Sequence, residues 1–321
     1  MGGVKMTDRD YMLLAVELGQ KGRGHTRPNP PVGAVLVKNG RIIGRGWHRR
    51  AGGDHAEVAA LKDARRRHHS PKGATIYVTL EPCSKPGRVG ACTDALIAAG
   101  IARVVYGVND PNPVNRGKAK RILARAGIAC DRVSDLDARL LVLPFAKRVM
   151  TGLPFVTVKI AMTLDGRIAD DAGRSRWISS AKARRLTGRL RNEVDAIMVG
   201  AETVRKDDPL LLPHEGANAD LIRVVVSRSG RLPKKARVFT EGPNRTLVFG
   251  DAVKALRELG RMGCMHVLCE GGLKLATSLA EAGLVDCWVT VLVPKVIGRR
   301  RIDKAVELPL ACCIKDWKGA L

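Results

Sequence analysis

Short apolar runs alternate along this chain with longer stretches whose apolar residues are spaced for one face of a helix. Val32 to Val37 is apolar, Lys38-Asn39-Gly40 is polar, and Ile42-Ile43 resumes the apolar pattern. Asn-Gly between two β-prone runs predicts a hairpin. The stretch from Gly53 to Arg67 is rich in Ala, Leu and Lys without an internal Gly or Pro, which predicts a helix beginning at His55. Residues 74–80 read as a strand, 92–100 as a helix closed by Gly100, and 101–108 as a buried strand. A basic helix over 117–126 and a short strand over 128–133 follow. This alternation predicts helices packed on a largely parallel sheet.

Near Met150-Thr151-Gly152-Leu153-Pro154 helical sequence gives way to Pro, Gly and then a strand, Phe155 to Met162. The pattern sets a domain boundary between residues 149 and 150. Beyond it the alternation resumes, with helices over 180–192, 251–262 and 272–282. Strands are predicted over 195–200, 222–228, 246–250, 264–269 and 285–293. The fold class is therefore α/β in both halves, with no internal repeat.

Length supports the division, because 321 residues suffice for two domains that each bury a core. A hydrophobic content of 45% excludes general disorder, and no apolar run approaches the roughly 18 residues that cross a bilayer. The N-terminus lacks the apolar core of a signal peptide, so a cytoplasmic protein is expected. The eight cysteines then read as ligands and packing residues rather than disulfides. A net charge of +25 raises the question of nucleic acid. The excess is spread over both halves, since residues 1–150 carry 27 basic and 12 acidic side chains. A diffuse positive field also suits a small phosphorylated substrate, and an aromatic content of 3% argues against the stacking platforms of single-strand recognition.

The chemistry concentrates in His55-Ala56-Glu57, Pro82-Cys83 and Cys92. One imidazole and two thiolates make a three-ligand zinc site with a fourth position open to water, the mark of a catalytic site. A closed structural zinc site, or mere packing, is the alternative, but no fourth Cys or His has suitable spacing. Zinc-dependent nucleobase deaminases pair H-x-E with P-C-x-x-C, so the eight-residue gap between the cysteines makes the match partial. Glu57 is the carboxylate available to move protons between the zinc water and the departing amine.

The first half resembles the deaminase domain of the bifunctional riboflavin-biosynthesis deaminase/reductases, the RibD family. The resemblance rests on Thr26-Arg27-Pro28-Asn29-Pro30-Pro31-Val32-Gly33, Gly44-Arg45-Gly46-Trp47-His48, His55-Ala56-Glu57, Glu81-Pro82-Cys83-Ser84 and Asp110-Pro111-Asn112-Pro113. The long gap between cysteines is itself a mark of that family. The resemblance implies a cytidine-deaminase-like α/β/α domain with Asn29 and His48 lining the substrate pocket and Arg88 on the phosphate side. Lys85 and Val89-Gly90-Ala91 depart from the family's histidine and Thr-Pro-Pro run.

The second half resembles the family's dihydrofolate-reductase-like domain through Val158-Lys159, Leu164-Asp165-Gly166, Ser175-Arg176-Trp177-Ile178, Leu190-Arg191, Asp195-Ala196-Ile197, Thr203, Asp207-Asp208-Pro209 and Glu270-Gly271-Gly272. This resemblance implies NADPH beside Zn2+ as cofactor. Lys159, Asp207 and Glu270 would contact the ribosyl substrate, and Ser175 and Arg191 its phosphate. Thr163, Asp165, Gly166, Trp177, Thr203, Gly271 and Gly272 would hold the cofactor. Gly188, Pro213-His214 and Ser227 depart from the pattern. Two readings compete with the bifunctional one: a deaminase with a silent reductase domain, and a nucleic-acid deaminase or binding protein. A homo-oligomer, dimer or tetramer, acting on a small phosphorylated pyrimidine away from membranes completes the expectation.

Overall fold

Asn39 and Gly40 both take positive φ, 51° and 71°, and close β1 (Gly33–Lys38) and β2 (Arg41–Trp47) into the expected antiparallel hairpin. In the computed structural model the chain divides into two units, Met1–Gly152 and Leu153–Leu321. The structure describes residues 6–85, 90–172, 179–213, 220–298 and 306–307.

The first unit continues with α2 (Ala56–Arg66), β3 (Thr75–Leu80), α3 (Cys92–Ala98), β4 (Arg103–Val108), α4 (Lys118–Arg125), β5 (Ala129–Arg132) and α5 (Leu136–Thr151). Ahead of the hairpin lies α1 (Asp8–Gln20), absent from the sequence reading, whose start is fixed by a reciprocal Thr7–Asp10 capping box. Its Tyr11, Met12, Ala15 and Leu18 pack on Val35, Val37, Tyr77 and Val105.

The sheet runs β2-β1-β3-β4-β5. Only β3, β4 and β5 are parallel, and β1 is antiparallel to both its neighbours. The largely parallel expectation therefore holds for half of this sheet, because a two-residue turn leaves no room for a crossover connection. Helix α2 lies directly on β2. A Cβ at Gly44 or Gly46 would collide with the carbonyls of Ala60 and Ala56, and the facing Ala56, Ala60 and Ala64 are fully buried. That close approach carries the start of α2, and with it His55 and Glu57, up against the sheet.

The second unit comprises β6 (Phe155–Thr163), α6 (Ala181–Asn192), β7 (Ala196–Gly200), α7 (Ala201–Asp207), β8 (Ile222–Val226), α8 (Arg237–Thr240), β9 (Thr246–Phe249), α9 (Ala252–Arg261), β10 (His266–Cys269), α10 (Leu273–Glu281) and β11 (Cys287–Val293). Six of its strands form one sheet ordered β11-β6-β10-β7-β8-β9, in which every pairing is parallel, and Lys295–Val296 and Val306–Glu307 pair separately as a short antiparallel ribbon. Successive residues of β7 enter opposite cores. Ala196 and Met198 join Val156, Val158 and Leu256, while Ile197 and Val199 join Val204, Leu211 and Val238. A sheet covered on both faces explains why these strands read as continuous apolar runs. Among the described residues no helix is long and apolar enough to cross a membrane.

Candidate active sites

In the first unit the site gathers where α2 and α3 begin and where β3 ends. His55 is the N-cap of α2, Cys92 is the first residue of α3, and Cys83 follows β3 by three residues. Ligand atoms of His55, Cys83 and Cys92 lie within 4.8 Å of one another. His55 Nδ1 is 3.2 Å from Cys92 Sγ and 3.6 Å from Cys83 Sγ, near the edge of about 3.6 Å that a tetrahedral zinc sets between nitrogen and sulfur. The Cys92 N–H, the Cys92 thiol and His55 all point at the Cys83 sulfur, which holds its thiol well below the usual range, while Cys92 is pushed up by its neighbour and by burial. Side by side, the two sulfurs ionise together only around a cation. These donors suit zinc.

Glu57, in the first turn of α2, is 4% exposed. Burial first, and the charge on Cys83 second, raise its carboxyl to about 7. Such a group both takes and returns protons near neutral pH. His48 Nδ1 lies 2.9 Å from the carbonyl of Asp54, to which it must donate, so Nε2 keeps its lone pair and accepts from Asn29 Nδ2 at 3.1 Å. Burial lowers the pKa of His48 and keeps the ring neutral. Asn29 therefore presents its carbonyl oxygen. Asn29, His48, His55, Glu57 and Cys83 line one cavity of about 350 Å3, while Arg88 falls outside the described residues.

Glu81 lines the same cavity but its carboxylate is engaged by backbone. Its carboxylate accepts from the backbone N–H groups of Asp110, Gly117 and Ala119 at 3.0–3.1 Å, capping α4 and anchoring the chain two residues before Cys83. Asp110 in turn accepts from Asn112 N and Asn115 Nδ2, and Asn115 Oδ1 accepts from Ser84. Sequence reasoning missed Phe145, Arg148 and Val149 of α5, which also line the cavity. Their helical spacing was the only available signal.

In the second unit a cleft of about 470 Å3 opens along β6 and the ends of β7 and β10. Lys159, Thr203, Asp207, Glu270, Gly271 and Gly272 all line it. A Cβ at Gly272, the N-cap of α10, would meet nothing within 4 Å, so backbone N–H groups there are open to a phosphate-bearing cofactor. The volume and the bare helix end fit NADPH.

Arg191 lies behind the cleft, its guanidinium gripping Glu270 at 2.7 and 2.8 Å and donating to the Leu212 carbonyl at 3.0 Å. Glu270 stays ionised despite its burial because Arg191 and Lys159 face it, and burial lowers the pKa of Lys159. Thr163, Asp165 and Gly166 form a turn instead of lining the cleft. Thr163 Oγ1 donates to Asp165 at 2.6 Å, and Asp165 accepts from Ile297 N and Gly298 N. Ser175, Trp177 and His214 lie outside the described residues. Gly188 is buried within α6, and the buried Ser227 Oγ has no hydrogen-bond partner among the described residues. Sequence reasoning also missed Lys206 and Lys274 at this cleft.

An α/β unit carrying one imidazole, two thiols and a buried glutamate at its sheet end belongs to the cytidine-deaminase class, here joined to a parallel α/β unit of the reductase type. Residues 5–108 match the cytidine and deoxycytidylate deaminase zinc-binding region, and residues 154–309 match the RibD C-terminal domain. The riboflavin biosynthesis protein RibD of Aquifex aeolicus is 38% identical, over 92% of this chain and 89% of its own length. That of Escherichia coli is 39% identical over 91% and 89%. The crystal structure of a diaminohydroxyphosphoribosylaminopyrimidine deaminase/5-amino-6-(5-phosphoribosylamino)uracil reductase from Thermotoga maritima superposes with a TM-score of 0.85 at 37% identity, covering 92% of this chain and 88% of that one. The chain belongs to the RibD family.

Proposed function

We propose that the chain catalyses two consecutive steps of riboflavin biosynthesis. Residues 1–149 would hydrolytically deaminate 2,5-diamino-6-(5-phosphoribosylamino)pyrimidin-4(3H)-one, and residues 150–321 would reduce the ribosyl side chain to ribityl with NADPH. The observation that carries this reading is the donor cluster of His55, Cys83 and Cys92 sharing a cavity wall with buried Glu57, in a chain matched along nearly its whole length by bifunctional relatives. That full-length match disfavours both a silent second domain and a nucleic-acid deaminase.

His55, Cys83 and Cys92 would hold zinc, which when bound supplies a water acidic enough to act as nucleophile near neutral pH. Glu57 moves protons between the attacking water and the departing amino nitrogen. Asn29, oriented by neutral His48, accepts a hydrogen bond from the ring and fixes its register, with Arg88 on the phosphate side. In the second unit NADPH supplies the hydride. Lys159, Asp207 and Glu270 orient the ribosyl chain, with Ser175 toward the phosphate, while Thr203, Gly271, Gly272 and Trp177 position the cofactor. Arg191 acts through Glu270 by holding its carboxylate, and Thr163, Asp165 and Gly166 brace the turn after β6. The substrates are small phosphorylated pyrimidines in the cytoplasm, and the working form is a homo-oligomer, dimer or tetramer.

Zinc removal tests the assignment. Chelation is expected to abolish ammonia release and added zinc to restore it, while NADPH oxidation with the already deaminated intermediate persists. Ammonia release that survives complete removal of zinc would contradict the site.

A further inference from the structure

The last helix of the first unit had no part in the sequence-based site, yet it supplies part of the deaminase cavity. Phe145, Arg148 and Val149 occupy positions i, i+3 and i+4 of α5, one face of the helix, and all three line the cavity with His55, Glu57 and Cys83. Phe145 is largely buried, whereas Arg148 and Val149 are half-buried.

The charge balance of the cavity singles out Arg148. Its lining includes three carboxyl groups, Glu57, Glu81 and Asp110, and two imidazoles, His48 and His55. Among the described residues Arg148 is the one Lys or Arg that lines it. Carboxyl groups offer a phosphate no attraction, and both ring nitrogens of His48 are already engaged, one with the Asp54 carbonyl and the other with Asn29. Arg148 also stands in the last turn of α5, just before Gly152 ends the helix. A helix C-terminus carries partial negative charge and by itself repels an anion. A cation at this position offsets that repulsion, and a guanidinium offers paired donors that match phosphate oxygens.

We propose that Arg148 is a specificity-determining residue of the deaminase site: its guanidinium recognises the phosphate of the pyrimidine substrate, while Phe145 and Val149 form an apolar wall beside it. The inference rests on the deaminase reading and adds to it, besides Arg88, a second cation that selects a phosphorylated over an unphosphorylated substrate. The phosphate lies away from the reacting carbon, so its recognition is felt equally in ground and transition states and shows in KM more than in kcat.

The test compares ammonia release from the phosphoribosyl substrate and from the same compound lacking the phosphate, in wild-type holoenzyme, Arg148→Gln and Arg148→Lys. Wild type should prefer the phosphorylated compound. Arg148→Gln should shrink that preference roughly 10- to 100-fold, through KM, as expected for a lost charge-assisted contact. Arg148→Lys, which keeps a point charge without the paired donors, should retain part of it. Zinc content and the urea midpoint establish that the variants are folded. An unchanged preference overturns the proposal, as does an equal loss on both compounds, which would make Arg148 structural. If wild type releases no ammonia from either compound, the deaminase reading falls with it, whereas ammonia release indifferent to Arg148 leaves that reading standing.

Discussion

Glu57 shows how a single side chain acquires a chemical role from its surroundings. Burial and the neighbouring sulfur push its carboxyl to about 7, while a cation among His55, Cys83 and Cys92 would pull the other way. The group is thus poised for proton transfer. Glu57→Gln keeps the shape and removes the proton acceptor, so ammonia release should fall by about 10^2- to 10^4-fold. Bound zinc, measured by metal analysis, should stay at the wild-type level. A variant that keeps more than a tenth of wild-type turnover would remove Glu57 from the mechanism. In the second unit the corresponding effect is electrostatic, with partly buried Glu270 held ionised between Arg191 and Lys159. The resemblance placed Arg191 at a phosphate, whereas its guanidinium is occupied by Glu270 and the Leu212 carbonyl. Spacing along a chain does not disclose which of two oppositely charged neighbours a buried arginine will take.

Elements bring these residues together through a few close contacts. Gly44 and Gly46 let α2 lie on β2, and Glu81 ties the end of β3 to the start of α4. Helix α1 is locked to the sheet by Asp8, which accepts from Tyr77 Oη at 2.7 Å and pairs with Arg103 at 2.9 Å. Arg103 is the main reason that the Asp8 carboxyl is held below its ordinary value of 3.8. A depressed carboxyl pKa contributes stability that is complete above the unfolded value and lost as pH falls through the folded one. Asp8→Asn should therefore cost about 1 kcal/mol at pH 7, discounted for partial exposure, and progressively less below pH 4. Urea midpoints at pH 7 and pH 3 check this, and an equal cost at both would contradict it. The strands and most helices were legible because their apolar periodicity is strong, and the Asn39-Gly40 turn because positive φ favours those residue types. Helix α1 was not, although its Thr7 and Asp10 form a capping box, because the short polar segment before it was read only for a signal peptide. The contribution of α5 to the cavity was equally hidden, since nothing local says which face of a helix borders a site.

At the scale of the whole molecule, two α/β units, each with its own sheet and core, carry two different donor sets: sulfur and imidazole in one, lysine, carboxylates and bare glycines in the other. The cluster of His55, Cys83 and Cys92 beside Glu57 was readable from sequence because metal chemistry demands particular residue types at short range. The reductase cleft was less so, because holding a cofactor draws on backbone and shape that many residues can provide. The central claim is that both units work in one chain, and one cuvette tests it. Zinc-loaded protein is given the phosphoribosyl diaminopyrimidinone and NADPH, with ammonia and NADPH followed together. The account predicts ammonia release followed by stoichiometric NADPH oxidation, and no NADPH oxidation with Glu57→Gln unless the deaminated intermediate is added. Ammonia without NADPH oxidation, or neither signal, would contradict it.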